Sequence, residues 1–164
     1  HETTQLCIRQ LEKYIKGGSP KVLDVGCGSG ILSIISIMLG AKSAYLTDID
    51  PNAIRATLEN CEVNHIKVPE QIIVQEGNLL EEEAFREQIG YGKYNIVVAN
   101  ILADVLVPLT PVIVNQLKTG GYYITSGIID DKEETVVNCV KEAGLEVLEV
   151  TYQGEWVSVT ARKN

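Results

Sequence analysis

A glycine-rich turn between an apolar strand and an apolar helix constrains the fold of this chain more than any other feature. Residues 21–25 have the pattern of a short buried strand, and residues 31–39 are apolar nearly all round, as in a helix that lies against a sheet. Between them, Gly26, Gly28 and Gly30 stand at alternate positions of the turn. Glycines permit positive φ angles and let a ligand approach the backbone closely. Taken alone, the turn is consistent with a ligand-binding loop or with a tight turn that binds nothing.

Strand-like and helix-like segments alternate along the whole chain. Helices are predicted over residues 3–16, 31–39, from Pro51 onward, 81–88, 104–117 and 130–143, and strands over residues 21–25, 43–47, 71–75, 94–99, 122–126, 145–151 and 156–161. Pro108 predicts a break in the fifth helix, because proline has no N–H to donate. Alternation predicts a parallel sheet with right-handed crossovers, and the turn at Gly154 predicts a closing hairpin. The expected fold class is therefore α/β, a doubly wound, Rossmann-like, seven-stranded and mostly parallel sheet with a C-terminal antiparallel hairpin, in one domain over residues 1–164.

Composition and charge narrow the classes of function. Although 45% of the 164 residues are hydrophobic, no apolar run reaches the roughly 20 residues of a membrane span, so no membrane partner is expected. The net charge of −8 disfavours direct binding to nucleic acid and is compatible with a basic protein substrate, although acidity also serves solubility alone. With four scattered cysteines, no C-x-x-C pair and two histidines, we expect reduced thiols, a cytoplasmic location and no metal site.

The spacing of the glycines distinguishes two classes of nucleotide ligand. A dinucleotide fingerprint, G-x-G-x-x-G, counted from Gly26 requires a third glycine at position 31, which is Ile31. The chain has G-x-G-x-G instead, and S-adenosylmethionine, which has no phosphate for a helix N-terminus to bind, fits this turn with its amino-acid end along the loop. We therefore predict S-adenosylmethionine as the cofactor. Asp24, just before the glycines, is expected to orient the loop or to meet the methionine ammonium through water.

Polar side chains follow the second and third predicted strands. Asp48 and Asp50 are rivals for binding both ribose hydroxyls, and because Asp50 precedes Pro51 as a helix cap, we assign the ribose to Asp48. Ile49 is then expected to pack on the adenine ring. Asn78 follows the third strand and is a candidate for bonding the adenine amino group, with an ordinary turn as the alternative. The interpretation that the two acids are only surface turn residues is disfavoured.

Asn100 stands at the end of the fourth predicted strand, which is almost wholly apolar. A polar amide at the end of a central strand costs free energy unless it bonds something. We expect Asn100 to lie beside the methyl group, where its side-chain oxygen accepts a hydrogen bond from an incoming amine and aims the nitrogen lone pair. This makes Asn100 the candidate catalytic residue, with a helix cap as the alternative role.

Six motifs occur in order along the chain and carry a resemblance to a known family. They are HETTQLC at residues 1–7, VLDVGCGSGIL at 22–32, DIDP at 48–51, VANILA at 98–103, SGI at 126–128 and EW at 155–156. Together they resemble the catalytic domain of the ribosomal protein L-eleven methyltransferase family (PrmA), from the first residue to the last. The glycine turn alone would indicate only a methyltransferase, whereas H-x-T-T, N-I-L-A and E-W make the resemblance specific.

The resemblance implies a class I methyltransferase fold and a substrate. Members of the family transfer methyl groups from S-adenosylmethionine to lysine side chains and the N-terminal amine of a large-subunit ribosomal protein. The motifs imply cofactor contacts at Thr4, Gly26, Asp48 and Asn100, of which Thr4 otherwise reads only as a helix cap. The family also has an N-terminal domain that recognises the ribosomal protein. Because this chain starts at His1, in the H-x-T-T motif, we expect that domain to be absent and the fragment to methylate poorly.

Other functions share part of this pattern. An NAD-dependent oxidoreductase has the same fold class but is disfavoured by Ile31 and by the lack of hydride-transfer residues. A cofactor-binding domain without transferase activity stays open as an alternative. So does a class I methyltransferase that acts on another protein, on RNA or on a small molecule.

Overall fold

The strands and helices alternate as the hydrophobic pattern predicts. The computed structural model describes residues 1–164. Its strands are β1 (Lys21–Val25), β2 (Ser43–Asp48), β3 (Ile72–Glu76), β4 (Tyr94–Asn100), β5 (Leu117–Ile129), β6 (Glu146–Gln153) and β7 (Trp156–Arg162). Its helices are α1 (Glu2–Tyr14), α2 (Ile31–Met38), α3 (Pro51–Val63), α4 (Glu83–Ile89), α5 (Ala103–Gln116) and α6 (Glu133–Glu142), with one 3-10 turn at Asp130–Lys132.

All seven strands belong to one sheet in the order β3-β2-β1-β4-β5-β7-β6. The pairs from β3 to β5 are parallel, whereas β7 is antiparallel to both β5 and β6. From β1 the chain winds outward to β2 and β3, then returns to β4 on the other side of β1, so the direction of winding reverses between β1 and β4. The doubly wound, mostly parallel sheet and its C-terminal hairpin are confirmed, and the reversal identifies the edge where a ligand-binding crevice forms.

Alternate residues of the central strands pack into two separate cores. On one face, Leu23 and Val97 join a cluster of 22 buried residues that includes side chains of α4, α5 and α6. On the other face, Val22 and Val98 join a cluster of 15 that includes side chains of α1, α2 and α3. Successive strand residues point to opposite faces, so the last two residues of each strand face different layers of helices.

The predicted break near Pro108 is wrong, because α5 continues from Ala103 to Gln116. Pro108 is in the second turn, so its missing N–H frees only the carbonyl of Asp104, an exposed residue of the first turn. Pro111 frees the carbonyl of Val107, and the Cys139 thiol of α6 donates to that oxygen at 3.3 Å. A side chain from the neighbouring helix thus replaces the lost backbone donor.

Several element boundaries also differ from the sequence-based prediction, most of them by one or two residues and two of the starts by three or more. The sixth helix begins at Glu133, because residues 130–132 form the 3-10 turn. The fifth strand begins at Leu117, directly after α5, and not at Tyr122. None of the six helices combines the length and the apolar composition that a membrane span requires.

Candidate functional site

A cavity of about 430 Å³ opens at the carboxyl ends of β1, β2 and β3. Its polar wall comes from the turns that follow these strands, and its apolar wall comes from the start of α5 and the segment before α4. The lining residues are Val25, Gly26, Thr47, Asp48, Ile49, Gly77, Asn78, Leu79, Leu80, Ile101, Val105 and Leu109. A smaller cavity of about 150 Å³ lies at the amino ends of the strands, near Lys21 and Lys93. The larger cavity lies at the winding reversal, where crevices of such sheets bind ligands.

The glycine turn forms one rim of the larger cavity, and its conformation requires glycine. Gly26, Gly28 and Gly30 have φ angles of 73°, 55° and 81°. A Cβ at position 26 would lie 2.7 Å from Ile101 Cγ2, whereas a Cβ at position 28 would meet nothing within 4 Å. The backbone of the turn is therefore packed against Ile101, the residue after β4, at one end and is open at its middle.

Asp48 lies in the cavity wall and bonds two backbone amides. Its Oδ2 accepts from Gly28 N–H at 3.0 Å, and its Oδ1 accepts from Asp50 N–H at 3.0 Å. Each carboxylate oxygen keeps a lone pair for a further donor. Asp50 has the cap role inferred for it, because its side chain accepts from Asn52 N–H at 2.9 Å. The geometry favours Asp48 over its rival, while its contact with a ribose stays a prediction.

Ile49 and Asn78 flank Asp48 in the cavity. Ile49 is 68% exposed, so its side chain is available to an aromatic ring. Asn78 Oδ1 accepts from Leu80 N–H at 3.0 Å and from Glu81 N–H at 3.3 Å, which is the ordinary turn role considered for it. That leaves the side-chain amide N–H groups of Asn78 as free donors.

Asp24 does not line the cavity. Its side chain is 1% exposed, and the Ser33 hydroxyl of α2 donates to its Oδ2 at 2.7 Å. Burial raises the pKa of Asp24 from 3.8 to about 7, an effect that Ser33 opposes and that the nearby charge of Asp48 strengthens. Of the two roles expected for it, the structure favours orienting the loop, because Asp24 fastens β1 to the helix that follows the turn.

Asn100 and Thr4 lie together on the opposite face of the sheet from the apolar wall. Asn100 Nδ2 donates to Thr4 Oγ1 at 3.5 Å, a long bond between the end of β4 and the first turn of α1. Neither residue lines the larger cavity. The glycine turn lies between this pair and Asp48, so the sequence-predicted residues form two groups on the two sides of one loop.

Several residues around the site were missed by sequence reasoning. Ser33 bonds Asp24, and Ile101 and Val105 form the apolar wall. Thr57 donates to Gly28 O at 2.9 Å from the middle of α3. Ile101 belongs to the N-I-L-A motif and could have been found there, whereas Thr57 has no local signal in the sequence.

Burial also determines the protonation state of Cys27, the cysteine in the turn. The pKa of Cys27 is raised to about 12, chiefly by burial and further by the charge of Asp24. Its thiol is therefore neutral near pH 7 and is a poor nucleophile. No group of three or more His, Cys, Asp and Glu side chains is placed to hold a metal ion.

Comparison with known proteins identifies the family. The family model described as ribosomal protein L11 methyltransferase (PrmA) matches residues 1–164. The chain belongs to the PrmA family. A relative named ribosomal protein L11 methyltransferase from Agathobacter rectalis is 54% identical over 166 residues, which cover 99% of this chain and 51% of that protein. One of the same name from Lachnospira eligens is 52% identical over 164 residues, with the same coverage of 99% and 51%.

A solved PrmA-family structure supports the same assignment. The crystal structure of the ribosomal protein L11 methylase from Lactobacillus delbrueckii subsp. bulgaricus matches with a TM-score of 0.88 at 33% identity, over 100% of this chain and 80% of that one. The fold is therefore that of class I methyltransferases. The chain spans about half the length, 51%, of the curated relatives that it matches.

The raised pKa of Asp24 predicts a characteristic pH dependence of stability. A carboxyl whose pKa is higher in the folded state binds its proton more tightly there, so its contribution to stability falls as pH rises from about 4 to about 7. Asp24→Asn removes this titration and keeps an oxygen for Ser33. Relative to the variant, we expect the wild-type free energy of unfolding to fall by up to about 1.4 kcal/mol per pH unit in that window.

Denaturant unfolding at a series of pH values measures this difference. Asp50→Asn is the matched control, because Asp50 is exposed and asparagine also caps helices well. Parallel stability curves for wild type and Asp24→Asn would contradict the assignment.

Proposed function

We propose that this chain binds S-adenosylmethionine around the glycine turn and transfers its methyl group to amines of ribosomal protein L11. The observation that carries the proposal is the position of Asp48, whose carboxylate joins the turn to the cavity wall while keeping two lone pairs free. The family membership and the name of its relatives support the choice of methyl donor and acceptor. Because the acceptor is a ribosomal protein, the proposal assigns the reaction to the cytoplasm.

The residues of the cavity fit the proposed cofactor. Asp48 offers two acceptors to a ribose diol, Ile49 offers an exposed apolar surface to an adenine ring, and Asn78 offers amide donors to ring nitrogens. The open space at Gly28 lets a ligand lie against the backbone of the turn. Thr4 and Asn100 lie on the far side of that turn, where the methionine end and the methyl group belong in this proposal.

The chain's own residues have little acid–base work to do. S-adenosylmethionine, when bound, supplies a methyl group that is already activated by the positive charge on sulfur. What remains is to present a neutral amine in line with that methyl group and to exclude water. A lysine amine has an ordinary pKa of about 10.4, and desolvation at an apolar surface favours its neutral form. Leu102, which is 66% exposed and two residues from Asn100, provides such a surface.

Asn100 is proposed to orient the amine. Its Nδ2 is directed to Thr4 Oγ1, which leaves Oδ1 free to accept an N–H of the incoming nitrogen. An amine held by one N–H in this way has its lone pair directed away from the amide. The role is therefore alignment, and the amide neither takes nor gives a proton.

The distribution of charge supports a basic acceptor. Most charged side chains in the loops and helix starts at the carboxyl edge are acidic, and the basic ones are Arg55, Arg86 and Lys132. The acids are Glu2, Asp48, Asp50, Glu76, Glu81, Glu82, Glu83, Asp104, Asp130, Asp131, Glu133, Glu134 and Glu155. The segments that lead into strands at the opposite edge carry Lys16, Lys21, Lys42, Lys67 and Lys93, with Glu70 as their acid. The edge that holds the site thus attracts lysine-rich protein and repels nucleic acid.

A labelled-methyl assay tests the function as a whole. Full-length protein and this chain are each incubated with labelled S-adenosylmethionine and purified ribosomal proteins, and the labelled band is identified. Label in L11 with either protein supports the proposal. Cofactor binding without label in any ribosomal protein favours the alternative of a cofactor-binding domain, and label in RNA or in another protein favours a different methyltransferase.

Asp48→Asn is expected to weaken S-adenosylmethionine binding by about 10- to 100-fold, measured by calorimetry. The variant keeps one acceptor for Gly28 N–H but loses the charge that strengthens hydrogen bonds from the ribose hydroxyls. Asp50→Asn is the matched control and should bind within about twofold of wild type, since asparagine preserves the helix cap. Equal affinities for Asp48→Asn and wild type would refute the ribose assignment.

Asn100→Ala is expected to lower turnover far more than cofactor affinity. The substitution removes the proposed amine acceptor, which acts in the transition state, so kcat should fall by about 100-fold while the Kd of S-adenosylmethionine changes by less than about threefold. The measurement is steady-state kinetics on the full-length protein with L11, together with calorimetry. Equal losses in both quantities would argue that Asn100 only binds the cofactor.

Reversing the charge of two acidic side chains at the carboxyl edge is expected to weaken binding of the acceptor protein L11. Asp131→Lys with Glu155→Lys should raise the KM for L11 by about 10-fold at low salt, less at high salt, without changing the Kd of S-adenosylmethionine. Glu59→Lys with Glu142→Lys makes the same charge change on exposed helix residues away from the site. If both pairs raise KM equally, only net charge matters and the edge has no special role.

A further inference from the structure

The glycine turn is held from two directions by different groups. Three of its N–H groups bond β2, because Gly26 and Cys27 donate to Thr47 O at 2.9 and 3.0 Å and Gly28 donates to Asp48. Two of its carbonyls face α3 instead. Thr57 Oγ1 donates to Gly28 O at 2.9 Å, and Asn60 Nδ2 donates to Ser29 O at 2.9 Å. Helix α3 therefore supplies both side-chain donors from positions one turn apart.

Both branches of the Thr57 side chain contact the turn. The residue is 0% exposed, and its Cγ2 lies 2.7 Å from the point where a Cβ on Gly30 would stand. Its hydroxyl, besides donating to Gly28 O, is 3.6 Å from Cys27 Sγ. The methyl branch thus fills the space against Gly30, while the hydroxyl branch determines where one carbonyl points.

The Thr57 hydroxyl fixes the orientation of the Gly28–Ser29 peptide, which the backbone alone leaves open. Gly28 has a φ of 55°, and glycine adopts left-handed and right-handed conformations with similar ease, so the peptide that joins it to Ser29 has two accessible orientations. Rotating that peptide plane by half a turn exchanges the directions of Gly28 C=O and Ser29 N–H. With Gly28 C=O bonded to Thr57, Ser29 N–H points away from α3 and has no partner in the protein.

We infer that Thr57 is a positioning residue for the cofactor: its hydroxyl selects the orientation of the Gly28–Ser29 peptide in which Ser29 N–H faces the ligand side of the turn. Asn60 supports the same orientation at the next carbonyl. The inference rests on the proposed function for the identity of the ligand, S-adenosylmethionine. It assigns cofactor affinity to a helix that does not line the cavity.

The same helix also connects the turn to Asp48. The Asp48 carboxylate bonds Gly28 N–H and Asp50 N–H, and Asp50 caps the first turn of α3, which in turn carries Thr57 back to Gly28. This closed circuit of bonds fixes the proposed ribose acceptor relative to the peptide that Thr57 orients. Loss of the Thr57 hydroxyl opens the circuit at one point and leaves the cap and the Asp48 bonds in place.

Two substitutions separate the hydroxyl from the methyl branch. Thr57→Val keeps the branched shape against Gly30 and removes the donor, whereas Thr57→Ser keeps the donor and removes the methyl group. We expect Thr57→Val to weaken S-adenosylmethionine binding by about 5- to 10-fold, as expected for loss of one preorganising hydrogen bond. Thr57→Ser should bind within about twofold of wild type. In Thr57→Val the KM for S-adenosylmethionine should rise with the Kd, by a larger factor than the change in kcat.

Thr110→Val is the matched control for general destabilisation. Thr110 is also buried and donates to a backbone carbonyl, Leu106 O at 2.7 Å, but it lies in α5 against Tyr123. The control should lower the unfolding temperature about as much as Thr57→Val and leave the Kd of S-adenosylmethionine unchanged. An unchanged Kd in Thr57→Val, or a larger loss in Thr57→Ser than in Thr57→Val, would overturn the inference.

Nuclear magnetic resonance of the cofactor-free protein provides an independent readout. The ¹⁵N resonance of the Ser29 amide should shift or double in Thr57→Val and remain single in Thr57→Ser and Thr110→Val. If wild type binds no S-adenosylmethionine, the proposed function fails, and this spectrum still decides whether Thr57 selects the peptide orientation. A Ser29 resonance that is the same in all variants would refute the selection itself.

Discussion

The carboxylate of Asp48 joins the two turns on which the site depends. One oxygen holds Gly28 N–H of the turn after β1, and the other holds Asp50 N–H of the turn after β2. Because charged acceptors form strong hydrogen bonds with backbone amides, this one side chain joins the two turns beyond the last backbone bonds between β1 and β2. The wall of the cavity, the start of α3 and the glycine turn meet at this carboxylate.

Much of this arrangement could be predicted from local sequence signals. The alternation of segments predicts the sheet, and the Asp50-Pro51 pair predicts the helix cap that Asp50 provides. Side-chain hydrogen bonds between residues far apart in the sequence could not be predicted. The Pro108 break fails because the helix loses bonds only where an exposed end or Cys139 compensates, and the role of Thr57 depends on how α3 returns to the turn. Such contacts join residues about 30 positions apart, beyond the reach of any motif.

The glycine turn divides the site into two chemically different halves. On the side of α5, the cavity has an apolar wall that includes Ile101 and Leu109. On the side of α1, Thr4 and Asn100 form a small polar cluster. In the function proposed above, the first half receives the adenine and the ribose, and the second receives the methionine end of the cofactor and the incoming amine. A loop without side chains at Gly26 and Gly28 lets both halves approach the same backbone.

Asn100 and Ile101 are adjacent in the chain yet serve opposite halves of the site. Successive residues of a strand point to opposite faces, so a shift of register along β4 would move both side chains to the wrong face. Insertion or deletion of one residue before Asn100 would place an apolar side chain in the polar cluster and an amide in the apolar wall, damaging both halves at once. Substitution at either position alters only one half. The length of β4 is therefore a requirement that both halves of the site share, whereas the identity of each residue at its end concerns one half alone.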